Sequence, residues 1–187
     1  MLEKEIKVLE INIDEIKVKL ESFGAKKSFE GFIHDIYYDF PGDKMDTEKR
    51  IFRVRKKGET HLYTIKRKRD TKVEGGVKGI KVADEGERQI TDVDSFTKVL
   101  EKYGMKKVRE KKKHRISYSL DDIEFDIDDY YLGDDKNTIP PLLEIEAHSK
   151  KDINIWIKKL GLENHITKSF GSRKLFEYYG VEYSYIT

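Results

Sequence analysis

The chain opens with an E-x-E-x-K arrangement, Glu3, Glu5 and Lys7 at alternate positions. Alternate residues share one face of an extended strand, so two carboxylates and an ammonium project together, with Leu2, Ile6 and Val8 mostly on the other parity. The pattern returns along the chain with its charges sorted by sign. Carboxylates recur around Glu87, Asp126 and the pair Glu144 and Glu146, while cations alternate at Arg53 and Arg55, at Lys66 and Lys68, and at Lys111, Lys113 and Arg115. Carboxylate oxygens without cysteine, and with five scattered histidines, suit hard cations such as Mg2+ or Mn2+ rather than zinc. Arginine and lysine at alternate positions suit phosphate oxygens, arginine as a two-pronged donor and lysine as a point charge. Together the two sets would hold a polyanion tied through metal to the acids, which is what phosphoryl transfer needs, since it works by positioning and charge neutralisation. Other signatures are missing from the sequence. It has no Walker loop, no G-x-S-x-G elbow and no H-E-x-x-H, and the glycines at 75, 76, 79 and 86 make no dinucleotide fingerprint.

Composition restricts how such residues can be arranged. Of 187 residues only 37% are hydrophobic and 40% are charged, so a folded chain must put charge somewhere besides a thin outer shell. Eleven tyrosines and nine phenylalanines argue against disorder. The length fits a single domain over 1–187 with enough chain for a real core. The net charge of +2 hides 38 basic and 36 acidic residues, which points to local clustering rather than a bulk polyanion or membrane-surface binder. Absence of cysteine agrees with a cytoplasmic location, and no apolar run approaches the roughly 20 residues that span a bilayer, so neither signal peptide nor anchor is expected.

The elements that would position the charges follow in order. Asn12 can cap a helix running to about Phe23, with Ile13, Ile16, Leu20 and Phe23 at helical spacing and Gly24 as the stop. A short strand is expected over 28–32 and another over 34–40, ended by Pro41 and Gly42, with an exposed turn over 43–49. Arg53, Arg55 and Lys57 then alternate with Phe52 and Val54. After a turn at Gly58, Thr64, Lys66 and Lys68 oppose Tyr63 and Ile65, which makes a hairpin with a basic face. The run Lys66 to Arg69 also admits a solvated or nucleic-acid-binding reading. Residues 70–86 carry four glycines among charges and read as a mobile loop that could serve as a lid. A strand carrying Glu85 and Glu87 restarts the pattern, followed by a helix capped by Asp92 or Asp94, with Phe96, Val99, Leu100 and Tyr103 apolar and Gly104 as its end. Acidic strand, helix and a G-x-K-K stop thus occur twice. A third copy follows as Leu142 to Ala147 and a helix over 153–160 before Gly161, an internal repetition of strand and helix.

Between the second and third copies, Lys111, Lys113 and Arg115 oppose Ile116 and Tyr118. Glu124, Asp126 and Asp128 oppose Phe125 and Ile127, and residues 120–122 join the two runs as a hairpin. If the charged parities face outward, the fold is a sandwich with a solvated sheet. If they face inward, about eight strands close into a barrel just wide enough for one small ligand, with acidic and basic walls inside and helices docked outside. The inward arrangement is favoured, because it leaves every helix an apolar sheet face to dock on.

The ordered set of Glu3, Glu5 and Lys7, then Arg53 and Arg55, Lys66, Arg115 ahead of Tyr118, Phe125 and Asp126, Glu144 and Glu146, and a terminal K-S-F-G-S-R-K-L-F-E-Y-Y-G resembles the CYTH superfamily, the triphosphate tunnel metalloenzymes. The resemblance covers nearly the whole chain. It implies an α+β fold built on a closed antiparallel eight-stranded tunnel with flanking helices. It implies that Glu3, Glu5, Glu87 (ahead of Glu85), Asp126, Glu144 and Glu146 hold Mg2+ or Mn2+, two ions per site. It also implies that Lys7, Arg53, Arg55, Lys66 and Arg115 hold and act on a triphosphate, with Lys68 and Lys113 added from the alternation as further substrate contacts. The expected activity is metal-dependent hydrolysis of a phosphoanhydride bond in a linear triphosphate. Cyclisation of ATP to cyclic AMP and pyrophosphate is the alternative enzyme, and a non-catalytic polyphosphate or nucleic-acid module the alternative of another class. The expected partner is a small-molecule triphosphate rather than a membrane or nucleic acid, with a homodimer left open.

Overall fold

The computed structural model describes residues 2–68, 81–130 and 139–181. The fold is α+β. In chain order the elements are β1 (Leu2–Leu9), α1 (Ile13–Ser22), β2 (Lys26–Asp39), α2 (Lys44–Thr47), β3 (Arg50–Lys57), β4 (Thr60–Lys68), β5 (Lys81–Ile90), α3 (Val93–Lys102), β6 (Lys106–Leu120), β7 (Ile123–Asp129), β8 (Leu142–Ala147), α4 (Lys150–Lys159), β9 (Thr167–Lys168) and α5 (Ser172–Tyr178). The strands form one antiparallel sheet in the order β5-β4-β3-β2-β6-β7-β8-β1-β9, and β5 also pairs with β1. That is nine strands rather than the eight expected. The addition is the two-residue β9, which bonds to Lys7 and Val8 on the edge of β1 whose first half, Leu2 to Glu5, pairs with β5.

The caps follow the sequence closely. The Asn12 side chain accepts from the Glu15 N–H at 3.1 Å, and Gly24 takes a left-handed φ of 85° beyond the end of α1. Asp92, not Asp94, caps α3 by accepting from Ser95 N–H at 2.9 Å, and Ser149 caps α4 by accepting from Asp152 N–H at 3.1 Å. Three segments depart from expectation. The two short strands over 28–40 are one strand, β2, which continues through Gly31 because its partner β6 runs unbroken beside it. The turn over 43–49 contains the short helix α2, nucleated by buried Asp39, whose carboxylate accepts from the N–H groups of Phe40, Met45 and Asp46. The expected lid over 70–86 gives way from Lys81 onward to β5, and its remainder lies outside the described residues.

The apolar parity of the strands lies under the helices. Ile6, Val8, Ile116, Tyr118, Phe125, Ile127, Leu143 and Ile145 pack with Ile16 and Leu20 of α1 and with Ile153 and Trp156 of α4. Tyr38, Val54, Phe52 and Tyr63 meet Phe96 and Leu100 of α3. Leu9, Tyr130 and Leu142, of the other parity, meet Leu175 and Phe176 of α5, which contributes to the cavity lining. Burial under α1, α3 and α4, worth about 25 cal/mol per Å² of apolar area removed from water, therefore fixes which strand face turns away from those three helices. The charged parity is that face. Among the described residues no helix is long and apolar enough to cross a membrane.

Candidate active site

The charged faces of the strands line one cavity of about 690 Å³. Glu5 and Lys7 enter it from β1, Arg53 and Arg55 from β3, Lys66 from β4, Glu85 and Glu87 from β5, Lys113 and Arg115 from β6, Asp126 from β7, and Glu144 and Glu146 from β8. Of the residues singled out from sequence, only the side chains of Glu3 and Lys68 fall outside those described. Their backbones are both in register with Ala83 of β5. Lys56, of opposite parity to Arg55, is exposed. The charged parities of these strands thus face a common cavity.

Register sets the order of the charges. Glu5 lies opposite Glu146, and Glu146 opposite Glu124, so three acids run side by side across β1, β8 and β7. In the next row Lys7 opposes Glu144 and Glu144 opposes Asp126, which opposes Ser117 of β6. Like charges directly opposed repel, and cations are placed to offset them. Lys7 Nζ sits 2.7 Å from both Glu5 and Glu144. Arg115 donates to Asp128 at 2.6 Å and to Glu144 at 2.7 Å, and pairs with Asp126. Burial disfavours the charge on Lys7, yet the two glutamates outweigh it and hold its pKa above the ordinary lysine value. Burial likewise opposes ionisation of Glu144, but Lys7, Lys113 and Arg115 keep its pKa well below the usual carboxylate range.

Across the cavity the balance reverses. Arg55 grips Asp35 through two bonds of 2.7 and 3.1 Å, with Arg53 and Lys111 at 3.8 and 3.4 Å from the same carboxylate. Arg53 also reaches Glu85 at 3.4 Å, Glu87 at 3.5 Å and the Thr64 hydroxyl at 2.9 Å, and Lys66 pairs with Glu85. Both candidate acids of β5 therefore reach the site. Glu85 sits deeper, its side chain 15% exposed against 38% for Glu87, which Thr64 holds by donating at 2.8 Å. Lys113 meets Asp128 at 2.5 Å, but burial and the neighbouring Arg115 push its pKa down to about 7. Asp35 and Asp128 are completely buried and belong to the site as much as the cations they hold. Sequence reasoning set Asp128 only on the acidic parity of its strand and gave Asp35 no role, although Asp35 opposite Arg55 of the neighbouring strand is open to a cross-strand pairing argument.

The donor set fits a hard divalent cation. Glu5, Glu144, Glu146, Asp126 and Glu124 offer only oxygen, on adjacent strands in register. Among the described residues no three acids or histidines already converge on a single point, because the acids are engaged by Lys7 and Arg115. A cation entering here would exchange with those ammonium and guanidinium groups.

The comparisons agree with this architecture. The CYTH domain family matches residues 1–164, which includes every strand of the cavity and leaves out β9 and α5. No curated protein matches the sequence. Among solved structures, the PH1012 protein of Pyrococcus horikoshii is 23% identical and superposes with a TM-score of 0.69 over 92% of this chain and 98% of its own. A Vibrio parahaemolyticus protein described as a candidate adenylate cyclase gives a TM-score of 0.71 at 15% identity, covering 95% of this chain and 98% of that one. HpAC1 from Hippeastrum, a candidate adenylyl cyclase described as revealing a dominant triphosphatase activity, gives 0.63 at 13% identity, covering 96% and 97%. At these identities the structures speak for the fold alone, and with the family match over most of its length the chain belongs to the CYTH domain family.

Proposed function

We propose that this protein is a divalent-metal-dependent phosphohydrolase that cleaves a phosphoanhydride bond of a linear triphosphate held in a tunnel. The observation that carries the reading is the segregation of charge around one cavity, an acid row on β1, β7 and β8 facing cations on β3 and β6. Pairing of β5 with both β4 and β1 supports closure of the first eight strands around that cavity. A pure polyanion binder would gain nothing from the acid row, which repels phosphate unless a cation lies between them.

Glu5, Glu144, Glu146, Asp126 and Glu87, with Glu3, are the residues that would hold metal. A divalent cation supplies Lewis acidity toward phosphate oxygens and water. Arg53, Arg55, Lys66 and Lys113 would receive phosphate oxygens and stabilise charge on the transferred phosphoryl and the leaving group. Lys7 and Arg115, at the seam of the two walls, would keep Glu144 ionised and hold the Glu144 and Asp126 carboxylates in place.

Hydrolysis is chosen over cyclisation on the aromatic residues. A cyclase must hold a purine and aim its ribose hydroxyl, but Tyr37 lies under Arg109 at 4.6 Å and Tyr130 under Lys111 and Lys113 at 5.8 and 5.6 Å, so each ring already stacks against a cation. Tyr38 packs in the outer core beneath α3, and Tyr131 lies outside the described residues. The name of HpAC1, which joins a cyclase assignment to triphosphatase activity, favours the same choice. Tripolyphosphate and nucleoside triphosphates should release phosphate with Mg2+ or Mn2+, whatever the base. Cyclic AMP and pyrophosphate from ATP, with tripolyphosphate acting only as an inhibitor, would overturn the assignment.

A further inference from the structure

Asp35 is the least expected member of the site. Its carboxylate is fully buried and lies in direct register with Arg55 on one side and Lys111 on the other, so one acid on β2 lies between cations of β3 and β6. Arg55 reaches both of its oxygens, and Arg53 approaches within 3.8 Å. Asp35 does not line the cavity, whereas Arg53, Arg55 and Lys111 do. It stands behind the basic wall, where it touches cations and would not touch phosphate.

We propose that Asp35 is a positioning residue, which fixes the guanidinium plane of Arg55 and the ammonium of Lys111 toward the transferred phosphoryl group. The role in turnover rests on the triphosphatase reading, whereas the orientation of the cations can be tested without it. Three like charges on neighbouring strands would otherwise splay apart, and a guanidinium freed from a two-point grip loses the pre-organisation that makes it a better phosphate donor than lysine. Charge and orientation make opposite forecasts for one substitution. Asp35→Asn removes a negative charge behind the wall, so a wall acting through charge alone would bind tripolyphosphate more tightly and turn it over at least as fast. A wall that acts through orientation binds as well or better but loses kcat by about 100-fold, the scale of an ångström-sized misplacement.

The experiment has two arms. In the first, 15N spectra of the ligand-free protein follow the Nε–H of Arg55. It should give a slowly exchanging signal in the wild type and lose that protection in Asp35→Asn, and an unchanged signal overturns the proposal. In the second, kcat and the dissociation constant for tripolyphosphate are measured for the wild type, Asp35→Asn and Asp35→Glu. Asp35→Glu keeps the charge but moves the carboxylate by one methylene, so it secures the test if the asparagine variant does not fold. A fall in kcat with affinity retained supports positioning, while wild-type kcat in either folded variant overturns it. If the wild type neither binds nor cleaves a triphosphate, the functional reading fails, and the first arm still decides whether Asp35 orients the wall.

Discussion

The acidic and basic walls solve the same problem from opposite sides. On β1, β7 and β8, Lys7 and Arg115 serve Glu5, Glu144, Asp126 and Asp128, and Glu146 and Glu124 lie alongside. On β2, β3 and β6, Asp35 serves Arg53, Arg55 and Lys111. One wall is richer in acid and the other richer in cation. Each excess is costly in a cavity walled by protein, where charges attract and repel more strongly than in bulk. A metal on the first wall and a phosphate chain on the second would neutralise both, so the free protein is electrostatically prepared for a ligand that carries both charges.

Removing an acid is the strongest way to break this comparison. Glu144→Ala should abolish metal-dependent turnover, a loss of at least about 1,000-fold, because it takes away a donor and leaves Lys7 and Arg115 without their shared partner. The fold should persist, since Asp128, Asp126 and Glu5 still engage those cations. Phosphate release and circular dichroism test this together, and retained turnover would refute the assignment of the acidic wall. On the other side, Arg55→Ala or Arg53→Ala should cost about 100-fold in kcat/KM for tripolyphosphate, as loss of a charge-assisted contact made in the transition state. Equal losses at Lys56 would mean that a diffuse surface patch, not an oriented wall, is at work.

Lys113 sharpens the comparison through pH. Its pKa of about 7 in the folded protein lies below the ordinary lysine value of 10.5 that the unfolded chain would show. Between these values the unfolded chain binds more protons, so the contribution of this group to stability rises as pH increases from about 7 toward 10. Below pH 7 both states are protonated and the full penalty of burying the charge is present. The wild type should therefore be less stable than Lys113→Met at pH 6, with the gap closing by pH 9.5 in urea titrations. A triphosphate beside Lys113 favours its charged form, so binding at pH 8 should take up a proton, visible as a buffer-dependent heat in calorimetry. The smallest effect is expected on the outer face, where Lys56→Ala should change stability by no more than about 0.5 kcal/mol and turnover by less than about twofold.

The walls were legible in the sequence because a period of two survives burial. At Arg53 and Arg55 against Val54, and at Asp126 against Phe125 and Ile127, the structure turns the charges into the cavity. Asp35 escaped notice because the signal cancels along β2. Ile33 and Tyr37 share its face while His34 takes the other, so neither parity reads as purely apolar or charged. Two register shifts in β2, between Lys27 and Phe29 and between Tyr37 and Tyr38, further break the phase of its ends. The short helix α2 was invisible to periodicity, since four residues make about one turn, and it depends on Asp39, which precedes it in sequence. The start of β5 was obscured by the glycines before it and appears only through its pairing with β4 and β1.

The pairing of β1 has a consequence for when the site comes into being. Glu5 and Lys7 leave the ribosome about 140 residues ahead of Glu146 and Glu144, their partners across the strand. At synthesis rates of about 5 to 20 residues per second, the opening strand must wait on the order of ten seconds for its neighbour. During that interval its alternating charged and apolar residues have no native partner on the β8 side. A chain interrupted before β8 lacks both Glu144 and Glu146 and the strand that joins β1 to β7, so the acid row comes into being with that one strand, long after its first members have been made.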